Sequence, residues 1–246
     1  MAKSRADQLL VDRGVVESRS RAQALILAGK VYTGDRRVEK AGQPMAADAP
    51  LDVRGQDHPW VSRGGLKLAH GLAHFGYSAE GRICMDVGAS TGGFTDVLLA
   101  NGASRVHAVD VGHGQLAWRL RSDTRVVVYE KTNARHITGS VVSDPIDALV
   151  CDASFIGLAT LLPAPLSLCA AGAWAIALIK PQFEAGPAQV GAKGVVRDQA
   201  VHQEVCARIQ TWWAALPGWS VDGIVESPIT GPEGNREFMI GARRKG

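Results

Sequence analysis

Asp86-Val-Gly-Ala-Ser-Thr-Gly-Gly-Phe-Thr-Asp-Val-Leu98 satisfies two incompatible patterns. Gly88-Ala-Ser90-Thr-Gly92 spells the G-x-S-x-G turn on which hydrolases raise a nucleophilic serine, while the same glycines between an apolar strand and an apolar helix suit a cofactor cradle. A hydrolase needs an oxyanion loop upstream, then an acid and a histidine downstream in that order. Asp152 and His202 stand in the right order, yet no His-Gly-Gly segment precedes Ser90. A dinucleotide site wants G-x-G-x-x-G, whose middle glycine lets backbone approach a pyrophosphate, and Ser90 fills that place. A loop closed by Gly88, Gly92 and Gly93 suits a ligand with a charged amino-acid end and no phosphates. S-adenosylmethionine is such a ligand. Asp110, about 20 residues on at the end of the next strand, is placed to accept the ribose hydroxyls, although NAD uses an acid in the same way.

Around this loop, strand and helix patterns alternate. Strands are expected at 83–87, 106–111, 126–130, 148–151 and 174–179, with late strands near 221–225 and 238–242. Helices are expected at 66–75, 93–100, 115–121, 158–169 and 201–215. Such alternation predicts an α/β fold with a mostly parallel sheet and helices on both faces. Ligands of such sheets gather beyond the carboxyl ends of the strands.

The chain of 246 residues, 46% hydrophobic and 21% charged, suits one full globular domain with a small appendage. Its net charge of +3 is unevenly placed: residues 1–67 hold 12 Lys and Arg against 8 Asp and Glu, leaving 15 against 16 in the rest. The front end is therefore the expected binder of polyanions. Cys84, Cys151, Cys169 and Cys206 stand singly in apolar surroundings and read as buried thiols of a cytoplasmic protein. His70 and His74 share a helix face but lack the glutamate of a zinc protease, so no metal is expected. The N-terminus has no apolar segment of signal length. The 27 uncharged residues 153–179 exceed a membrane span in length, but Pro163, Pro165 and Gly172 interrupt them, and they read as core rather than membrane.

From Arg5 to Val53 the pattern is a small α/β unit: two short helices ending near Gly14 and Gly29, then strand, tight turn at Gly34, and strand. Arg5-Ala-Asp-Gln-Leu-Leu through Ala41-Gly-Gln-Pro-Met45 resembles the S4 domain, a small RNA-binding module. Thr33-Gly34 stands where that family often has Asn-Gly, a change a hairpin turn tolerates. The resemblance implies an RNA face that includes Arg5, Arg19, Arg21, Lys30, Arg36 and Arg37, with Arg63 beyond it. The domains expected are an S4-type unit at 1–57, a linker at 58–65 and a larger unit at 66–246.

Three strand ends of the larger unit carry charge. Asp152 closes the fourth strand, Lys180 the fifth, and Glu237 opens the last, which brings it to the same rim if that strand runs antiparallel. Lys67, on the helix before the first strand, can reach the rim too. Four alternating charges at one ligand edge are not expected by chance. A ribose hydroxyl attacking a methyl sulfonium must lose its proton as the new bond forms, and Lys180 as a neutral amine, favoured by desolvation and by Lys67, would take it. Asp152 and Glu237 would hold the two lysines and limit that effect. The sulfonium supplies the activation without a metal.

The arrangement resembles the FtsJ-like RNA 2′-O-methyltransferases, whose Lys-Asp-Lys-Glu tetrad falls on Lys67, Asp152, Lys180 and Glu237. With the S4-like front end, the chain resembles the TlyA family, often filed as haemolysin A. Trp60-Val-Ser-Arg-Gly, Asp86-Val-Gly-Ala-Ser-Thr-Gly-Gly-Phe-Thr, Asp110-Val-Gly, Glu130-Lys-Thr-Asn-Ala-Arg135 and Lys180-Pro-Gln-Phe-Glu carry that resemblance. It implies a Rossmann-like S-adenosylmethionine-dependent methyltransferase domain with one antiparallel late strand. It also implies a cofactor site formed by Asp86, Gly88, Ser90, Gly92, Gly93, Phe94, Asp110, Val111 and Asp152. Glu130 or Asn133 would contact adenine and Phe155 would line the pocket, although Asn133 also fits a helix cap and Phe155 the core. The implied substrate is cytidine ribose in 23S or 16S ribosomal RNA, free or in ribosomal subunits, and the protein is expected as a monomer. His113 stands where tyrosine is more usual, and Ala153 where leucine or valine is. Two other functions remain to be tested: a pore-forming haemolysin, and an RNA-binding adaptor with a silent catalytic domain.

Overall fold

A computed structural model describes every residue except 1, 2, 14, 17, 47, 48, 50, 54–57, 192, 193, 232 and 233. The N-terminal unit contains β1 (Lys3–Arg5), α1 (Ala6–Asp12), α2 (Arg19–Leu27), β2 (Val31–Thr33), β3 (Arg36–Arg37), β4 (Pro44–Ala46) and β5 (Asp52–Val53). Ser18 caps α2 by accepting from Arg21 N at 3.2 Å. Gly34, at φ +59°, opens the two-residue turn between β2 and β3. Leu9, Leu10, Leu25, Ile26, Val31 and Met45 pack into one small core. So few buried side chains leave most of this unit's surface to solvent and to partners.

The larger unit opens with α3 (Gly64–Phe75) and β6 (Ile83–Val87), followed by α4 (Gly93–Ala100), β7 (Arg105–Val109), α5 (Trp118–Arg121) and β8 (Val126–Tyr129). Then come β9 (Ile146–Cys151), α6 (Leu158–Leu161), α7 (Pro163–Ser167), β10 (Cys169–Ile179) and α8 (Pro181–Glu184). It ends with α9 (Gln199–Ala214), β11 (Trp219–Glu226) and β12 (Phe238–Arg244). The seven strands lie in the order β11-β12-β10-β9-β6-β7-β8. Only β12 runs against its neighbours, as the late strand was expected to do. Chain order reverses between β6 and β9, which are parallel neighbours, so the loops that follow them flank one crevice.

Both faces of the sheet are covered. Leu68, Leu72, Phe94, Val97, Leu98 and Leu120 of α3, α4 and α5 form the core on one side. Leu158, Leu166, Val205, Ile209 and Trp213 of α6, α7 and α9 form it on the other. Central strands buried on both faces explain apolar runs such as Ala175-Ile-Ala-Leu-Ile179.

Several boundaries differ from the sequence pattern. The helix expected at 158–169 is two short helices, because Pro163 starts a new one and cannot continue the old. β10 begins at Cys169 rather than Trp174, its first residues pairing across a register shift, with Gly172 at φ +77°. Only Trp118–Arg121 of the helix expected at 115–121 is helical, since Gln115 is drawn to Ser90. The uncharged run 153–179 becomes a loop, two short helices and a central strand. Among the described residues, no helix is long and apolar enough to cross a membrane.

Candidate active site

The rim charges meet. Lys67 Nζ lies 2.6 Å from Glu237 Oε2 and 3.7 Å from Asp152 Oδ2, and Lys180 Nζ lies 2.6 Å from Asp152 Oδ1. Glu237, Lys67, Asp152 and Lys180 thus form one chain of alternating charge drawn from α3, the loop after β9, the end of β10 and the start of β12. Lys67 and Lys180 are each only 7% exposed and Glu237 1%, so these charges depend on one another for the solvation that water no longer supplies. Asp152 is the most open of the four, its side chain 21% exposed, and it joins the two lysines.

The sequence places Lys67 through close packing. A Cβ at Gly65 would lie 2.3 Å from Trp60 Cγ, so only glycine lets the indole close over the first turn of α3. That contact also explains why α3 begins at Gly64, inside the expected linker. The Gly-rich loop is set in a similar way. Gly88 has φ +81°, and a Cβ there would come within 3.0 Å of the Ala153 backbone, so the loops after β6 and β9 touch without a side chain between them. Gly92, at φ +98°, is the N-cap of α4, and a Cβ on Gly93 would strike Ser62 Oγ. Asp86 and Phe94 face the interior. Asp86 accepts from Thr95 N at 2.9 Å and Thr95 Oγ1 at 2.7 Å, fixing α4 to the end of β6. Burial pushes the Asp86 carboxyl up to about 7 against those two hydrogen bonds.

A narrow cleft beside the loop is lined by Ala89, Ser90, Ala108, Asp110, Gln115, Leu116, Val128 and Glu130. Ser90 has φ +47°, and its N–H donates to Asp110 Oδ2 at 2.8 Å while its hydroxyl donates to Gln115 Oε1 at 3.1 Å. Asp110 Oδ1 accepts from Gly112 N at 2.6 Å. Glu130 is held by Gly114 N at 2.8 Å, by His113 Nδ1 at 2.8 Å and by Arg121. Burial would raise its carboxyl, but these donors keep it below the usual range. Asn133 caps the turn at 134–136, accepting from Arg135 N at 3.1 Å, and Val111 is exposed. Phe155 lies on the surface, 89% exposed at φ +65°, its ring tilted on Phe183 with centroids 4.9 Å apart.

The donor set fits S-adenosylmethionine. Asp110 and Glu130 are acids at the ends of adjacent strands, Leu116, Ala108 and Val128 give an apolar wall for a purine, and the Ser90 to Gly92 backbone bends away to admit the rest. No hydrolase triad assembles. Ser90 Oγ bonds Gln115, Asp152 holds the lysines, and His202 is buried with its Nε2 3.0 Å from the Val196 carbonyl.

In the N-terminal unit, Arg5 and Arg19 converge on Asp7 at 2.9 and 3.2 Å, joined by Gln23 at 2.9 Å. Asp7, fully buried, is held well below the usual carboxylate range, first by Arg5. Arg21, Arg36 and Arg37 are exposed, Lys30 is half-buried, and Arg63 is exposed at the N-cap of α3.

The S4 domain family matches residues 4–46, and the FtsJ-like methyltransferase family matches residues 60–244. The chain belongs to the FtsJ-like methyltransferase family. YqxC of Bacillus subtilis (strain 168) is 47% identical over 97% of this chain and 85% of its own length. The 16S/23S rRNA (cytidine-2′-O)-methyltransferase TlyA of Mycobacterium tuberculosis (strain ATCC 25618 / H37Rv) is 45% identical over 98% of this chain and 90% of its own length. A solved structure from Streptococcus thermophilus superposes with a TM-score of 0.77 at 41% identity, covering 100% of this chain and 90% of that one. Within this FtsJ-like fold, the sequence motifs had included Gln115 and Phe183 without giving either a role, and had left out Ser154. Gln115 and Ser154 are loop residues and Phe183 lies in α8, and each has a partner distant in sequence. Glu184, the end of the same motif, likewise had no role assigned, and it accepts from Leu158 N at 2.7 Å.

Proposed function

We propose that this protein is an S-adenosylmethionine-dependent methyltransferase acting on the 2′-oxygen of a ribose in ribosomal RNA, with cytidine the nucleotide modified. The observation that carries it is the unbroken line of ion pairs from Glu237 through Lys67 and Asp152 to Lys180, in which Asp152 follows the strand next to the one that ends in the Gly-rich loop. The curated relatives of nearly the same length support the substrate class.

Asp110 would hold the ribose hydroxyls of the cofactor, Glu130 the adenine edge, and the loop from Gly88 to Gly93 its amino-acid end. When bound, S-adenosylmethionine supplies a methyl group activated by positively charged sulfur, and the electron pair of the broken carbon–sulfur bond stays on sulfur. Lys180 takes the proton of the attacking ribose hydroxyl. Asp152 keeps both lysines at the rim, and Glu237 anchors Lys67 so that the line of charges is held at one geometry. Phe155 and Phe183 present an exposed aromatic face beside Lys180, suited to stacking on the target base once it leaves its neighbours. Arg5, Arg19, Arg21, Lys30, Arg36, Arg37 and Arg63 would meet phosphates.

Methyl transfer from radiolabelled cofactor to ribosomal RNA, followed by mapping of 2′-O-methylation, tests the reading. Lys180→Ala is expected to abolish transfer while cofactor still binds. Full activity in that variant, or no transfer by the wild-type protein, overturns it.

A further inference from the structure

The two buried lysines sit in different sockets. Among the described residues, Lys67 Nζ meets only carboxylates, those of Glu237 and Asp152. Lys180 Nζ meets Asp152 Oδ1 at 2.6 Å but also Ser154 Oγ at 3.0 Å and the Asp152 carbonyl at 3.4 Å. A neutral hydroxyl therefore shares the Lys180 amine.

Ser154 is held where it is by its neighbours. The loop after β9 is fastened to α8 by three successive contacts: Ser154 to Lys180, the Phe155 ring to the Phe183 ring, and Leu158 N to Glu184 Oε1 at 2.7 Å. Phe155 takes a left-handed conformation at φ +65°, which non-glycine residues adopt only when their surroundings require it. Ser154 itself is exposed while its partner is buried, so its hydroxyl stands between the amine and the solvent from which RNA arrives.

We propose that Ser154 is a positioning residue for Lys180: its hydroxyl oxygen accepts a hydrogen bond from Nζ at 3.0 Å and, with the ion pair to Asp152, fixes where the amine lies when the ribose hydroxyl arrives. This rests on the methyltransferase reading above. Contacts from a hydroxyl on one side and a carboxylate on another fix the position of the amine more firmly than either does alone. As the ribose oxygen forms its bond to the methyl carbon, its proton passes to the Lys180 amine, and sulfur keeps the electrons of the bond that breaks. Without the hydroxyl, the amine keeps only its contacts to Asp152 and the proton acceptor is less firmly placed. Asp152 from the same loop faces Lys180 directly, with Lys67 of α3 and Glu237 before β12 beyond it. All three charges persist when Ser154 is changed.

The test compares Ser154→Ala, Ser154→Thr and Lys180→Ala in the full chain, with ribosomal RNA and cofactor saturating. Ser154→Ala is expected to lower kcat about ten- to a hundred-fold, the worth of one hydrogen bond to a charged or reacting group. Cofactor affinity by calorimetry and KM for RNA should stay within about two-fold, and the pH at which kcat is half-maximal should move. Ser154→Thr, which keeps the hydroxyl, is expected to recover most of the rate. Wild-type kcat and pH profile in Ser154→Ala, with Lys180→Ala inactive, overturns this proposal and leaves the methyltransferase reading standing. A loss of cofactor affinity or folding stability that accounts for the fall in rate also overturns it. Activity in Lys180→Ala overturns both.

Discussion

Asp86 is one residue through which pH acts on the larger unit's stability. It is fully buried at the end of β6, and burial raises its carboxyl to about 7, against about 3.9 in an unfolded chain. Between those values the folded state keeps a proton that the unfolded state has lost, so this group's contribution to stability falls as pH rises from about 4 to 7 and is level above. Asn in its place offers one acceptor to Thr95 and has nothing to ionise. Thermal unfolding of wild type and Asp86→Asn at about pH 5, 6, 7 and 8 is expected to show wild type losing ground steadily, by at most about 4 kcal/mol in all. A gap that stays constant with pH would remove Asp86 as the titrating group. The rim charges Lys67, Asp152, Lys180 and Glu237 were readable because each sits where an apolar run or helix meets the ligand edge. Ser154 and Asp96 were not, because their decisive partners lie 26 and 35 positions away and neither type signals such a partner.

Among the elements, α4 is the hub of the cofactor side. Its N-terminus carries Gly92 and Gly93, and its Asp96, 5% exposed, accepts from Val61 N at 2.8 Å and pairs with Arg119 of α5. One carboxylate therefore joins the segment leading into α3, the helix below the Gly-rich loop, and the helix that follows Gln115 and Leu116 of the cleft. Asp96→Ala leaves a backbone N–H and a guanidinium without this partner and should cost about 1–3 kcal/mol of stability. Calorimetry should also show weakened S-adenosylmethionine binding, since α4, α5 and the loop before α3 are no longer tied. Unchanged melting and affinity would show that Trp60 and Gly65 hold these elements unaided. The existence of each strand and helix in this region was legible from alternating apolar runs; their ends were not. β10 gains Cys169-Ala-Ala-Gly-Ala173, a stretch with little intrinsic strand preference, in which Cys169 pairs with Ile146 of β9 before the register shifts at Trp174. α5 loses its first turn because loop hydrogen bonds to Ser90 and Glu130 compete with helix formation.

For the whole molecule, the uneven charge separates holding RNA from modifying it. The surplus of four positive charges lies in the first 67 residues, while the remainder is close to neutral. Within the N-terminal unit, Asp7 fixes Arg5 and Arg19, and Arg21, Arg36 and Arg37 stay exposed on α2 and β3. If those three meet phosphates, each contact releases counterions and adds about 0.7–0.9 to the slope of log affinity against log salt. Replacing all three by Ala is therefore expected to lower that slope by about two to three and to raise KM for ribosomal RNA steeply. The rate at saturating RNA should be unchanged, because the line from Glu237 to Lys180 belongs entirely to the larger unit. Binding of an rRNA fragment followed by fluorescence anisotropy from about 50 to 200 mM salt, with kcat measured beside it, separates the two. A fall in kcat with an unaltered salt slope would instead place these arginines in alignment of the target rather than in capture of the strand.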